Sequence, residues 1–490
     1  MRQLLHILLS VILLSSIGIN VTGCIDDDYT TEASATLSFS TDTLSFDTIF
    51  TDLKTPTASF RVINHNKKMV NISHIKVVGA SGNATFRLNV DGINDTEFSN
   101  IDIRSGDSIF IFVQALINTN NDDAPLRVED KIKFLTNGVE QEVVLLAWGQ
   151  DVERLRNHTI NENTTFTADK PYVIFDTLTI QPQATLTVLP GAMIYLHDKA
   201  TIMVHGSLQA LGKQGNEITL RGDRTDKVVG GIDFDIMSGQ WNGIFFQPTS
   251  FNNILNYVNI RACSTGIEID SCGIEEKKLS IFNSIIHNSS GNILTSRHSY
   301  IEAIGTEFSD ASASVADIIG GKARFINCTF ANQYLFSAIT GSIVNIGYSD
   351  PKNYDGITPL ADVEITNCII HGNTSDITPG VLDNMQIFVR NTLLRSEGED
   401  DSNFINCKWN GDPKFYTIRN DYYFDYRLQD DSEAIGIANI EVIHDIALYD
   451  RYGNYRLRKL PDGSINADAG AYTWMTAPKN DETNDFYKNK

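Results

Sequence analysis

Leu178-Thr179-Ile180, Leu186-Thr187-Val188, Ile194-Tyr195-Leu196 and Ile202-Met203-Val204 follow one another at eight-residue intervals within Asp176 to Arg221. Each triplet places its outer residues on one side of an extended chain, the period-two pattern of a strand with one buried face. Three such steps make a coil of about 24 residues. On that spacing Leu178 is expected beneath Ile202, and Ile194 beneath Ile218. Repetition at this period is a solenoid signature, because each coil buries its apolar face only against its neighbours.

The chain has 490 residues, which predicts two or three domains unless a repeat lets one elongated core keep growing. From Leu37 to Leu145 the sequence is all-β, with pairs such as Leu37/Phe39, Leu44/Phe46, Phe60/Val62, Phe86/Leu88, Ile109/Ile111 and Val143/Leu145 giving seven to nine strands. Asn137-Gly138 has the chemistry of a two-residue type I′ hairpin. Residues 36–150 therefore read as an immunoglobulin-like β-sandwich, a spacer or docking module.

Met1 to Gly23 carries Arg2, an apolar run from Leu4 to Ile17 and small residues before Cys24, which is how a secretory signal reads. Val21-Thr22-Gly23-Cys24 resembles a bacterial lipobox, and the resemblance implies lipidation of Cys24. Ile25-Asp26-Asp27-Asp28 looks like the acidic signal that sends some Gram-negative lipoproteins to the exterior. Residues 24–35 are then a lipidated tether, and the expected address is the outer membrane, facing outward. Without Arg2 the mature chain holds 38 basic against 61 acidic residues, and 38 minus 61 is −23. That balance argues against nucleic acid as a partner. Five cysteines remain beyond Cys24, an odd number that makes no disulfide framework, although Cys263 and Cys272 could close a hairpin.

Leu186-Thr187-Val188-Leu189-Pro190-Gly191-Ala192, then Val204-His205-Gly206-Ser207-Leu208-Gln209-Ala210-Leu211-Gly212, resembles the opening coils of right-handed parallel β-helix proteins of the pectate-lyase-like fold. Trp241-Asn242-Gly243-Ile244 is a further hallmark of that group. Between them, Gly222 to Gln240 is too long for a corner and is expected to protrude. A second mark follows: Asn283-Ser284-Ile285-Ile286, Asn327-Cys328-Thr329-Phe330, Asn367-Cys368-Ile369-Ile370 and Asn391-Thr392-Leu393-Leu394, with Gly305-Thr306-Glu307-Phe308 as a degenerate member. Stacked coils would let the Asn side chains bond to one another and the cysteines pack as small apolar groups. The 40-residue step from Asn327 to Asn367 holds one coil with a loop, or two short coils around Val344. Tyr426 to Tyr472, with its Asp450-x-x-Gly453-x-x-Arg456 element, resembles the segment that closes the open end of such solenoids. The β-helix is assigned to residues 160–475, and residues 476–490 to a disordered tail.

Enzymes of this fold use acidic residues with calcium and a basic residue that abstracts a proton from a uronic acid. Asp233 and Asp235 in the long loop, and Asp400 and Asp401 in a second acidic knot, are candidate calcium ligands because a hard cation takes converging oxygens. Arg261, Arg324 and Arg390 are candidate ligand-binding residues. His287 and His371 fall at the same point of two coils. No Gly-x-Ser-x-Gly, phosphate loop or His cluster is present. The expectation is a lipid-anchored surface protein that binds polysaccharide or a surface protein without catalysis. The alternative is a calcium-assisted polysaccharide lyase or a glycosidase acting on acidic polysaccharide.

Overall fold

Leu178 lies beneath Ile202 as the spacing predicts, whereas Ile194 lies beneath Leu220, two residues beyond the expected Ile218. Leu186 lies beneath Leu208, so corners differ in length while the face each strand buries is kept. The computed structural model describes residues 28–475, except 80–81, 225, 228–231, 348–360, 380–384 and 421–422. The chain is almost wholly β and divides into two compact units, Met1–Asp151 and Val152–Lys490. Cys24, the acidic residues through Asp27 and the 476–490 tail lie outside the described residues.

The first unit is two sheets of five and six strands that bury one core between them, including Phe60, Phe86, Ile111, Ile132, Phe134 and Val143. Asn137 and Gly138 both have positive φ (51° and 76°), the geometry a two-residue hairpin needs, and they join Leu126–Thr136 to Val139–Gln150. Thr43–Phe50 pairs with Val139–Gln150 in parallel, unlike its antiparallel neighbours. Val70–Gly79 is a central strand that the sequence reading does not single out.

The second unit opens at Glu153 and stacks parallel strands into a 17-stranded and a ten-stranded sheet. These are the sheets of a β-helix solenoid. Its interior is one continuous column, in which Ile260, Ile286, Phe308, Phe330, Ile370 and Leu394 lie above one another. Phe308 and Phe330 stack with centroids 5.3 Å apart. Thr329 pairs directly with Ile369, so the 40-residue step is a single coil.

The repeated Asn has a backbone cause. Asn283, Asn327, Asn367 and Asn391 have φ of 45°, 51°, 57° and 49°, and Gly305 in the degenerate member has 63°. Asn and Gly are the residues that enter the left-handed region at least cost. Bonding from one Asn to the next is weak, with Asn367 donating to Asn327 Oδ1 at 3.5 Å. Their amides reach instead to residues 437–468: Asn327 Nδ2 donates to the Asp468 carbonyl, Asn367 to that of Asn439 and Asn391 to that of Ile437.

The closing segment thus lies along the side of the solenoid and does not simply cap its end. It touches coils from Gln214, which donates to the Tyr452 carbonyl, to Asn391. Its Tyr426, Leu428, Ala469 and Tyr472 pack on Ala331, Ile369 and Leu393 of the outer face. Strands beneath it are therefore buried on both sides, as in Ile285–Ser289 and Glu307–Ala311.

Candidate functional site

Two columns of side chains point outward from the strands that begin at Val258, Ile285, Glu307, Thr329, Ile369 and Leu393. One column holds Asn259, Ile285, Glu307, Thr329, Ile369 and Leu393; the other holds Arg261, His287, Ser309, Ala331 and His371. His287 and His371 do occupy equivalent points, but two coils separate them.

At one end of these columns, the described part of the 222–240 excursion folds back onto the solenoid instead of protruding. Gly239 N–H donates to the Cys263 carbonyl, Gln240 to the carbonyls of Phe234 and Met237, and Asn288 to that of Ile236. The excursion delivers Asp235 between two guanidiniums. Its oxygens lie 2.7 Å from Arg221 Nη2 and 2.7 Å from Arg261 Nη2, and all three side chains are about one-tenth exposed. Asp235 is therefore not poised for calcium, because two guanidiniums already occupy its oxygens, and Arg261, though on the outer face, is covered by the excursion and paired with Asp235. The backbone of Asp233 pairs with that of Lys227 in a single antiparallel β-bridge of the excursion.

Farther along, the closing segment seals a polar set. Tyr426 O–H donates to Asp310 Oδ2 at 2.6 Å, and Tyr472 O–H donates to Glu307 Oε2. Ser309 Oγ donates to Glu307 Oε1 at 2.6 Å, while His287 Nδ1 lies 3.0 Å from Ser309 Oγ and 3.2 Å from Asp310 Oδ2. A serine, a histidine and two carboxylates in mutual reach resemble nucleophile machinery. Here Ser309 is wholly buried and its neighbours nearly so, and the hydroxyls that roof them belong to the chain itself. The set fastens the segment to the solenoid.

Burial pushes the Glu307 carboxyl above the ordinary carboxylate range, against the lowering effect of its bonds to Ser309 and Tyr472. Its contribution to stability is fully present below the unfolded value, about 4.3. It is lost as pH rises toward the folded value, because the unfolded chain ionises first. The wild type is thus expected to lose stability relative to Glu307→Gln over the range of pH above about 4, where the unfolded chain ionises and the folded one does not. Urea unfolding of both proteins across that range measures it; a constant difference would mean that Glu307 titrates as it does in water.

The remaining candidates are also engaged. Asp400 accepts from the backbone N–H groups of Asn406 and Cys407 and from the Trp409 indole, and Asp401 accepts from those of Asn403 and Phe404. Both order a loop, with N–H donors at their oxygens. Arg324 and Arg390 share Glu364, at 3.0 and 2.8 Å. Among the described residues no group of three or more His, Cys, Asp or Glu is placed to hold a metal ion.

All five cysteines beyond Cys24 are free thiols, Cys263 and Cys272 included. Cys328 and Cys368 occupy the place of Ser284, Thr306 and Thr392, whose hydroxyls donate to carbonyls of their own coil. The thiols do the same, to Ile326 and Thr366. They are hydroxyl substitutes in a ladder as well as small apolar groups. Burial raises the thiols of Cys263 and Cys368, and that of Cys407 to about 11, so none is a ready nucleophile.

No protein-family model and no curated protein matches the chain. Three solved structures show slight likeness. A protein of unknown function from Porphyromonas gingivalis W83 is 11% identical over 26% of this chain and 51% of its own, with a TM-score of 0.17. A family 123 glycoside hydrolase from Clostridium perfringens is 9% identical over 27% and 30%, with a TM-score of 0.19. The catalytic domain of a GH87 α-1,3-glucanase is 10% identical over 73% of this chain and 88% of its own, also with a TM-score of 0.19. This chain spans about half of the first of these proteins and less than a third of the second. Likeness this slight carries no argument about activity.

Proposed function

We propose that the chain is a lipid-anchored outer-membrane surface protein that binds glycan or a partner protein without catalysis. In this reading Cys24 carries the lipid and an immunoglobulin-like sandwich follows the tether. A right-handed parallel β-helix presents the binding face. The observation that supports it is the pairing of the outer-face charges with one another. Asp235 sits between Arg221 and Arg261, and Glu364 between Arg324 and Arg390, while Glu307 is roofed by the neutral Tyr472 hydroxyl. A uronic acid lyase needs a base within reach of its substrate proton, and a glycosidase needs two carboxylates flanking a cleft. Groups locked in such pairs suit a rigid scaffold better.

The test incubates the chain from Ile25 with uronic acid polysaccharides, with calcium and with chelator. Absorbance of unsaturated products is followed, along with retention on glycan affinity gels. Retention without product is expected. A calcium-dependent rise in absorbance overturns the non-catalytic reading.

A further inference from the structure

The two outer faces of the first unit differ in kind. On the six-stranded sheet, neighbouring strands are joined by ion pairs: Lys131 with Glu142 at 2.6 Å and Lys133 with Glu140 at 2.5 Å, while His74 Nε2 lies 2.8 Å from Glu97. That is an ordinary solvated sheet surface, on which opposite charges face each other across the ladder.

The five-stranded sheet has a different centre. Phe110 and Phe112, on the middle strand Ser108–Ile117, are 51% and 41% exposed, with ring centroids 5.9 Å apart and planes 24° apart. Folding supplies no reason for two phenyl rings there, since the core is filled from the opposite face by Ile109, Ile111 and Val113. Arg61 and Ser59 flank the rings on one side, and Asn89 on the other, with Arg87 beside Gln114 one step along. Among the described residues neither Arg61 nor Arg87 has a carboxylate partner, although the chain has 61 acidic residues. A row of polar side chains thus borders a narrow apolar strip on both sides, each row one strand spacing away.

We infer that this face binds an acidic polysaccharide, with sugar-ring faces against Phe110 and Phe112 and carboxylate or sulfate groups at Arg61 and Arg87. The dimensions favour a chain-like ligand over a protein. A stable protein interface buries roughly 800 Å² per partner around a continuous apolar centre. Two rings bordered by polar side chains provide no such centre. They do match the pattern of glycan subsites, in which an apolar ring face is held by aromatic carbon and oriented by a few polar groups. The arginines choose the charge, because in a chain of net charge −22 an unpaired basic pair is a local exception. The site deepens the glycan-binding part of the proposed function by naming a ligand class, and it lies on the sandwich and not on the β-helix.

The experiment uses the chain from Ile25 in native gels containing polygalacturonate, chondroitin sulfate or neutral dextran. Retardation by one of the two acidic polymers, and none by dextran, is expected. Phe110→Ala with Phe112→Ala should weaken it roughly tenfold or more. Arg61→Gln with Arg87→Gln should weaken it as much and remove its sensitivity to salt. Both pairs lie on the surface, so melting temperatures should hold. Retardation that survives both double variants overturns this inference and leaves the proposed function standing, with the β-helix as the binding face. Absence of retardation by either acidic polymer overturns it as well. So does loss of a dimer, seen by sedimentation, in the phenylalanine variant, which would make a second copy the occupant.

Discussion

Asp235→Ala is expected to cost the second unit about 3–5 kcal/mol, more than almost any other single charge removal in the chain. The reason is what remains. Arg221 and Arg261 follow the paired residues Leu220 and Ile260 in adjacent coils, so their stems are about 4.8 Å apart. Both side chains are nearly buried and lie at 2.7 Å from the same carboxylate. Without it two like charges face each other out of water, and the carbonyls of Gly222 and Arg224 that accept from Arg221 supply no full counter-charge. The triple replacement Arg221→Met, Asp235→Leu, Arg261→Met should recover most of the loss, because apolar groups of similar volume need no counter-charge. Urea unfolding followed by tryptophan fluorescence reads both. Trp241 is fully buried and its indole N–H donates to the Arg261 carbonyl at 2.9 Å, which makes it a local reporter. A loss below about 1 kcal/mol, or one that vanishes in high salt, would show the triad to be an ordinary surface pair.

The fold was legible where its causes are local. Strand alternation and turn chemistry lie within a few residues, so Leu178 beneath Ile202 and the Asn137-Gly138 hairpin could both be read directly. Val70–Gly79 was missed for an equally local reason. Its pairing slips between Leu135 and Thr136, so Val70, Ile72 and Ile75 are buried at unequal spacing and the alternation breaks. The Asn repeat was visible, but its purpose was not. A left-handed turn and a bond to a carbonyl more than seventy residues away leave the same mark in the sequence.

The candidate site was much less legible. Acidic residues in a loop look alike whether they bind calcium, accept from their own backbone, as Asp400 and Asp401 do, or neutralise a buried pair of arginines, as Asp235 does. Register decides among these, and the register of a 19-residue excursion has no period to count. Glu307 and Asp310 were passed over for a similar reason, since their partners Tyr472 and Tyr426 lie more than a hundred residues away. One signal was available. Glu307 stands where its neighbours in the column are Ile285, Thr329 and Ile369, and a carboxylate in an otherwise uncharged column implies a buried partner.

Gly243→Ala is expected to be at least as damaging as the loss of Asp235, at more than about 4 kcal/mol, and to leave little soluble protein. Gly243 has φ of 142°, a conformation closed to residues with a side chain, and a Cβ added there would lie 1.7 Å from the Thr265 carbonyl oxygen. That oxygen belongs to the backbone of the next coil, so no side-chain rotation relieves the clash. The coil cannot slide away either. Trp241 is buried on one side of Gly243, Asn242 donates to the Lys199 carbonyl at 2.9 Å and to Thr201 Oγ1 at 2.8 Å, and Ile244 pairs with Ile267 above. The Trp-Asn-Gly-Ile run therefore marks the point where the chain returns from its long excursion and re-enters the stack. Each residue type is required there: the indole by the interior, the amide by the coil below and the missing Cβ by the coil above. Gly347→Ala is the matched control, because nothing lies within 4 Å of a Cβ there, and it should change stability by less than about 0.5 kcal/mol. Soluble yield and the urea midpoint of the two variants decide the matter. Equal midpoints would mean that the coils can part at Gly243, which a stack held only by its nearest neighbours should not allow without losing the strands on either side.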